Sequence, residues 1–136
     1  MVNIDVLYEG GLRCAATHGP SKNTLSTDAP VDNQGRGESF SPTDLVATAL
    51  GTCMITILGI IAEREGIDLG DTKASVKKHM SADTPRRISK LELTLEIPLA
   101  ADHPEREKLE RGALACPVKQ SLHPETELAI DFQWTA

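Results

Sequence analysis

SPTDLVATALGTCMITILGIIAEREG, residues 41–66, is the stretch on which the reading of the fold turns. Ser41 suits a helix N-cap, and Pro42 the first helical position, where its missing N–H costs nothing. Asp44 falls where a capping-box acid reaches back to the cap. Charge returns at Glu63-Arg64-Glu65, and Gly66 can supply a left-handed stop. Between these ends, residues 45–62 carry no charge, and apolar groups lie on nearly every side of the helix. That pattern predicts a helix inside something larger. Val46, Leu50, Cys53, Ile57 and Ile60 share one helical stripe. The 18 uncharged residues also just reach the length of a membrane span. They stand alone, contain three threonines and two glycines, and have no basic flank, so a soluble protein with no membrane partner is expected.

On the N-terminal side, residues 1–8 alternate as a strand, with Val2, Ile4, Val6 and Tyr8 on one face. Glu9-Gly10-Gly11 turns the chain into a second strand over 12–18, predicting a hairpin. A further turn at 19–23 leads to a short third strand over 24–27. Residues 28–40 hold Pro30, Gly35 and Gly37 and read as a loop. Gly35-Arg36-Gly37 resembles part of a phosphate-binding loop, but no Gly-Lys-Ser/Thr follows.

On the C-terminal side, 72–80 alternates as a strand with one mostly polar face. Residues 88–97 give the clearest strand, with Leu91, Leu93, Leu95 and Ile97 on one face and Ile88 out of phase, the mark of a bulge. Asp102 or His103 can cap a helix that begins at Pro104 and runs to about Ala115. A short helix follows from Pro117 with Cys116 as its N-cap, and a closing strand spans 127–134. The order βββ-α-ββ-α-α-β predicts an α+β fold with a mainly antiparallel sheet, in one domain over 1–136.

Forty per cent hydrophobic and 25% charged residues are ordinary for a globular chain, and with four aromatic residues the core must be aliphatic. A net charge of −6 argues against a nucleic-acid partner, which would need a basic footprint. Residues 1–8 carry Asp5 and lack a basic start before an apolar run, so no secretory signal is expected. A cytoplasmic location follows, with the three cysteines reduced at rest.

Cys53 fits a packing role, since free cysteine buries as a small hydrophobe; to act as a thiolate it needs a nearby cation. Cys116 differs, because the N-cap of a helix places its sulfur at the positive dipole end, where thiolate is favoured. The two are 63 residues apart on different elements, so any pairing is tertiary. Cys14, beside Arg13, reads as a strand residue. His18, His79, His103 and His123 are scattered, without the spacing of a zinc site. No Gly-x-Ser-x-Gly elbow is present.

SPTDLVATALGTCM (41–54), followed by ACPV (115–118), resembles the OsmC/Ohr family of osmotically inducible and organic-hydroperoxide-resistance proteins. The resemblance runs over nearly the whole chain and rests on a Ser/Asn-Pro start, a cysteine eleven residues past that proline, and a downstream Cys-Pro. It implies an intertwined homodimer, with two long central helices against curved sheets, and thiol-based peroxide reduction. By resemblance Cys53 is the peroxidatic nucleophile and Cys116 resolves its sulfenic acid as a disulfide. An arginine of the N-terminal hairpin activates the first cysteine; Arg13 is the nearest match, with Arg36 in reserve. No bound cofactor is implied; an external dithiol, from a lipoyl or thioredoxin-like protein, would close the cycle.

The chain departs from the pattern at Thr43, where organic-hydroperoxide members place the glutamate that holds the arginine. Asp44 comes next but is claimed by the helix cap, and Glu38 can replace the acid only if its loop folds back. The expected function is a thiol peroxidase acting on organic hydroperoxides, with hydrogen peroxide as a further substrate. A binding or stress-response module without turnover is the alternative, and thioester or disulfide chemistry at the same thiol a third.

Overall fold

The computed structural model describes all residues, Met1–Ala136. In chain order the elements are β1 (Ile4–Gly10), β2 (Arg13–His18), β3 (Thr24–Asp28), α1 (Pro42–Glu65), β4 (Lys73–Met80), β5 (Ile88–Ile97), α2 (Arg106–Leu114), α3 (Pro117–Ser121) and β6 (Glu127–Trp134). This is the α+β order expected. Two compact units divide the chain, Met1–Val46 and Ala47–Ala136.

The first unit is an antiparallel sheet in the order β1-β2-β3. Its first hairpin is tight because Gly10 and Gly11 both take positive φ, 85° and 61°, and Leu12 follows at 63°. Ile4, Val6 and Tyr8 are exposed and share a face with Ala16 and Leu25, opposite each other in the ladder. Residues 28–40 are a folded loop. The Gly35 N–H donates to Pro30 O at 2.9 Å, Gly37 N–H to Ala29 O at 3.2 Å, and Asp28 N–H to Phe40 O at 3.1 Å. Val31–Asn33 forms one 3₁₀ turn within it.

The second unit is a sheet in the order β4-β5-β6. β4 pairs antiparallel with β5, and β6 runs parallel to it. That parallel pair arises because α2 and α3 form a crossover between β5 and β6, as parallel neighbours require. The bulge foreseen at Ile88 is present as a register shift opposite Met80. Leu91, Leu93, Leu95 and Ile97 are fully or nearly fully buried, joined by Leu50, Met54 and Leu58 of α1 and by Leu109 and Ala113 of α2. Glycine permits the close approach of α1: a Cβ on Gly51 would lie 3.1 Å from Val76 Cγ2.

The capping of α1 is as read. The Ser41 N–H donates to Asp44 Oδ2 at 2.9 Å, and the Asp44 N–H donates to Ser41 Oγ at 3.1 Å. Gly66, at φ 67°, ends the helix, and Ile67 N–H donates to Ala62 O at 2.8 Å. The expected burial all round needs correction. Ala47, Leu50, Gly51, Met54, Leu58 and Ala62 form the buried face. The stripe through Val46, Cys53 and Ile57 is half-buried, and Ile60 is exposed. The helix is long and apolar enough to cross a membrane by composition, as the core helix of a soluble protein also can be.

The start of α2 also differs. The helix begins at Arg106 rather than Pro104 and has no side-chain cap. His103 Nδ1 instead accepts the Glu105 N–H at 3.1 Å and its carbonyl accepts the Arg106 N–H at 3.0 Å, so residues 103–106 form a turn before the helix opens. α2 is tied down by Glu110, whose Oε1 accepts from Arg106 Nε at 3.1 Å and from Trp134 Nε1 at 2.8 Å.

Candidate functional site

Two groups of side chains carry chemistry, one in each unit. In the second unit, Cys53 stands on α1 and Cys116 at the N-cap of α3. Both are free thiols; Cys116 is fully buried and Cys53 half-buried against the same core. They are neighbours, close enough for Cys53 to add to the rise in the Cys116 pKa. The fold therefore brings together two thiols that the sequence keeps 63 residues apart.

The N-cap role of Cys116 is as read, its Sγ accepting the Lys119 N–H at 3.4 Å. Its expected preference for thiolate is overturned. Burial pushes the Cys116 thiol above its ordinary value of 9.0, the Lys119 N–H pulls the other way, and Cys53 adds to the rise. Weak backbone N–H···S bonds from Lys119 and Val118, in a helix of five residues, do not offset removing the sulfur from water. Cys116 thus rests as a neutral thiol able to donate its proton, a better partner for an anion than an anion itself.

In the first unit the loop does fold back. Arg13 Nη1 donates to Glu38 Oε2 at 3.1 Å, and this places Glu38 against the hairpin arginine. Thr43 Oγ1 lies 3.2 Å from Ser41 Oγ, and Asp44 accepts the Ser41 N–H, so both belong to the start of α1. Arg36 lies exposed elsewhere in the loop. Cys14 faces Tyr8 and Thr27 across the ladder.

One residue escaped the sequence reading. Asp28 ends β3 buried, and its Oδ2 accepts the Glu38 N–H at 3.0 Å, pinning the loop that presents Glu38. Its signal was faint: an acid in register with Arg13, visible only once the β2–β3 pairing is known. No group of three or more acidic, histidine or cysteine side chains is placed to hold a metal ion.

Comparison with known proteins fits this frame. The sequence model for OsmC-like protein matches residues 35–131. A crystal structure from Psychrobacter arcticus, provisionally named an osmotic stress induced and detoxification response protein, is 45% identical with a TM-score of 0.90; the alignment covers 97% of this chain and 96% of that one. An organic hydroperoxide resistance protein OsmC from Legionella pneumophila is 16% identical with a TM-score of 0.77, over 98% and 96% of the two chains. An OsmC-like protein of unknown function from Vibrio cholerae is 12% identical with a TM-score of 0.79, over 97% and 98%. No curated protein matches the chain. With its family match spanning most of its length, the chain belongs to the OsmC-like protein family.

Proposed function

We propose that this protein is a thiol-dependent peroxidase that reduces organic hydroperoxides, and hydrogen peroxide as a further substrate. The observation that carries the reading is the pair of free thiols, Cys53 and Cys116, brought together from separate elements. Hydroperoxide resistance is named for the Legionella relative, which shares the fold.

In the proposed cycle the Cys53 thiolate attacks one peroxide oxygen. The O–O bond breaks, the alkoxide leaves and takes up a proton to become the alcohol, and Cys53 becomes a sulfenic acid. The Cys116 sulfur then attacks the sulfenic sulfur, water leaves, and a disulfide forms. An external dithiol of the lipoyl or thioredoxin-like class reduces that disulfide by exchange. By the family resemblance, Arg13, held by Glu38, is the cation of this cycle, the group that would stabilise the thiolate and the departing oxygen. The aliphatic surroundings of Cys53 favour an organic hydroperoxide over a small polar oxidant.

The raised pKa of Cys116 gives this cycle an order. While Cys53 is a thiolate, Cys116, kept neutral chiefly by its burial, can donate its proton to it.

The working protein in this reading is a cytoplasmic homodimer. Support comes from the apolar groups each chain leaves uncovered, Ile4, Val6 and Tyr8 on β1 and Ile60 on α1. Scattered apolar residues are normal on a surface, but a contiguous row on one sheet face calls for a partner.

The test is intact mass after one equivalent of cumene hydroperoxide. Wild type should lose two hydrogens without cross-linking chains, and Cys116→Ser should gain one oxygen at Cys53. Wild type that consumes peroxide no faster than Cys53→Ser would discard the peroxidase reading in favour of a binding module.

A further inference from the structure

Asp28 is 1% exposed, yet only one of its two carboxylate oxygens is paired within the protein. Oδ2 accepts the Glu38 N–H at 3.0 Å, while Oδ1 is buried with no hydrogen-bond partner. Buried polar atoms are paired in the large majority of cases, so an open carboxylate oxygen calls for an explanation. Were the bond to the Glu38 amide its whole task, a neutral side chain could do it without the cost of burying a charge.

The register of the sheet supplies the explanation. Asp28 is the direct partner of Arg13 across the β2–β3 ladder. Directly opposed residues project from the same face with their Cβ atoms roughly 5 Å apart, well within the reach of an arginine side chain. Arg13 now donates to Glu38 at 3.1 Å, through a carboxylate whose side chain is 53% exposed. Such an exposed pair holds weakly. A guanidinium that leaves Glu38 has an open buried acceptor, Oδ1 of Asp28, on its direct partner across the ladder. Glu38 and Asp28 are also linked to each other, main chain to side chain, so the two acids keep a fixed spacing around the arginine.

We propose that Asp28 is a positioning residue for Arg13: its open carboxylate oxygen is the second anchor of the guanidinium, keeping it at the end of β2 when the exposed Glu38 lets go. The inference rests on the reading that Arg13 serves the Cys53 thiolate, and it adds a residue to that task.

The experiment follows the pH dependence of Cys53 alkylation by iodoacetamide, resolved by peptide mass spectrometry so that Cys14 and Cys116 are scored apart. Asp28→Asn keeps an oxygen for the Glu38 amide and removes the charge. It should shift the Cys53 profile to higher pH in the same direction as Arg13→Ala, and slow alkylation at neutral pH several-fold. Hydrogen exchange at the Glu38 amide should stay at the wild-type rate, separating the charge from the loop. In an Arg13→Ala background, Asp28→Asn should have no further effect. A wild-type profile for Asp28→Asn, or an equal added shift in the Arg13→Ala background, overturns the proposal. If Arg13→Ala itself leaves the profile unmoved, the activating role of Arg13 fails first, and the proposal with it.

Discussion

Gly35→Ala is a substitution that should loosen the loop holding Glu38. A Cβ on Gly35 would stand 2.6 Å from Ala29 Cα, and nearer still to the Ala29 carbonyl carbon and oxygen. Ordinary carbon–carbon contacts lie at about 3.5–4.0 Å, so the loop must open by about 1 Å or more. Opening of that size breaks the two bonds that close it, Gly35 N–H to Pro30 O at 2.9 Å and Gly37 N–H to Ala29 O at 3.2 Å. Each is worth about 1 kcal/mol net. Alanine returns about 0.4–1 kcal/mol by restricting the unfolded chain. The balance is a loss of about 1–2 kcal/mol, a factor of roughly 5–30 in the opening equilibrium. The assay is amide hydrogen exchange at Gly37 and Glu38, which should lose protection by that factor, while amides of the β4-β5-β6 sheet keep theirs. Unchanged protection at Glu38 would refute the claim that steric closure at Gly35 builds the loop.

Two further predictions concern the second unit. Because burial raises the Cys116 pKa, its alkylation should need higher pH than that of an exposed thiol, and any reaction at neutral pH matching free cysteine would count against its burial. The linkage sign follows: with the folded-state pKa above the unfolded one, the native state keeps the proton longer. Its stabilising contribution is full below the unfolded value and is lost as pH rises through the raised folded value, so wild type should lose more stability above about pH 9 than Cys116→Ala. Leu93→Ala should cost about 3 kcal/mol, since Leu93 is 1% exposed and paired with Val76 and Ile130 on either side. Thermal unfolding should show a fall of roughly 10 °C; a fall of under about 2 °C would mean that the site collapses without a cavity.

What was legible in the sequence was local. The capping box of Ser41 and Asp44 lies within one helical turn, and the stop at Gly66 depends on its own backbone. The alternation of 91–97 fixed the inward face of β5 before any partner was known. The buried face of α1 was not legible, because a helix apolar all round has no phase to read. Glycine held the missing clue: Gly51 sits where the helix approaches Val76, and Gly112 where α2 approaches Ile57 and Ile61. Cys116 shows the same divide. Its N-cap position was visible in Cys-Pro, but its burial comes from residues far along the chain, and burial decides its charge.

The acid that meets Arg13 reaches it by a different route from the one the family pattern supplies, and that has an energetic consequence. An acid in the first turn of α1 would be held by the helix, whereas Glu38 is held by a loop and is 53% exposed. Solvent and salt screen such a pair, so its worth is about 0–1 kcal/mol. That weakness would let the guanidinium drift into solvent were nothing else nearby, which is why a buried second acid matters more here than where the helix supplies the acid. Raising the salt concentration should therefore weaken the Glu38 pair before it disturbs the buried carboxylate of Asp28.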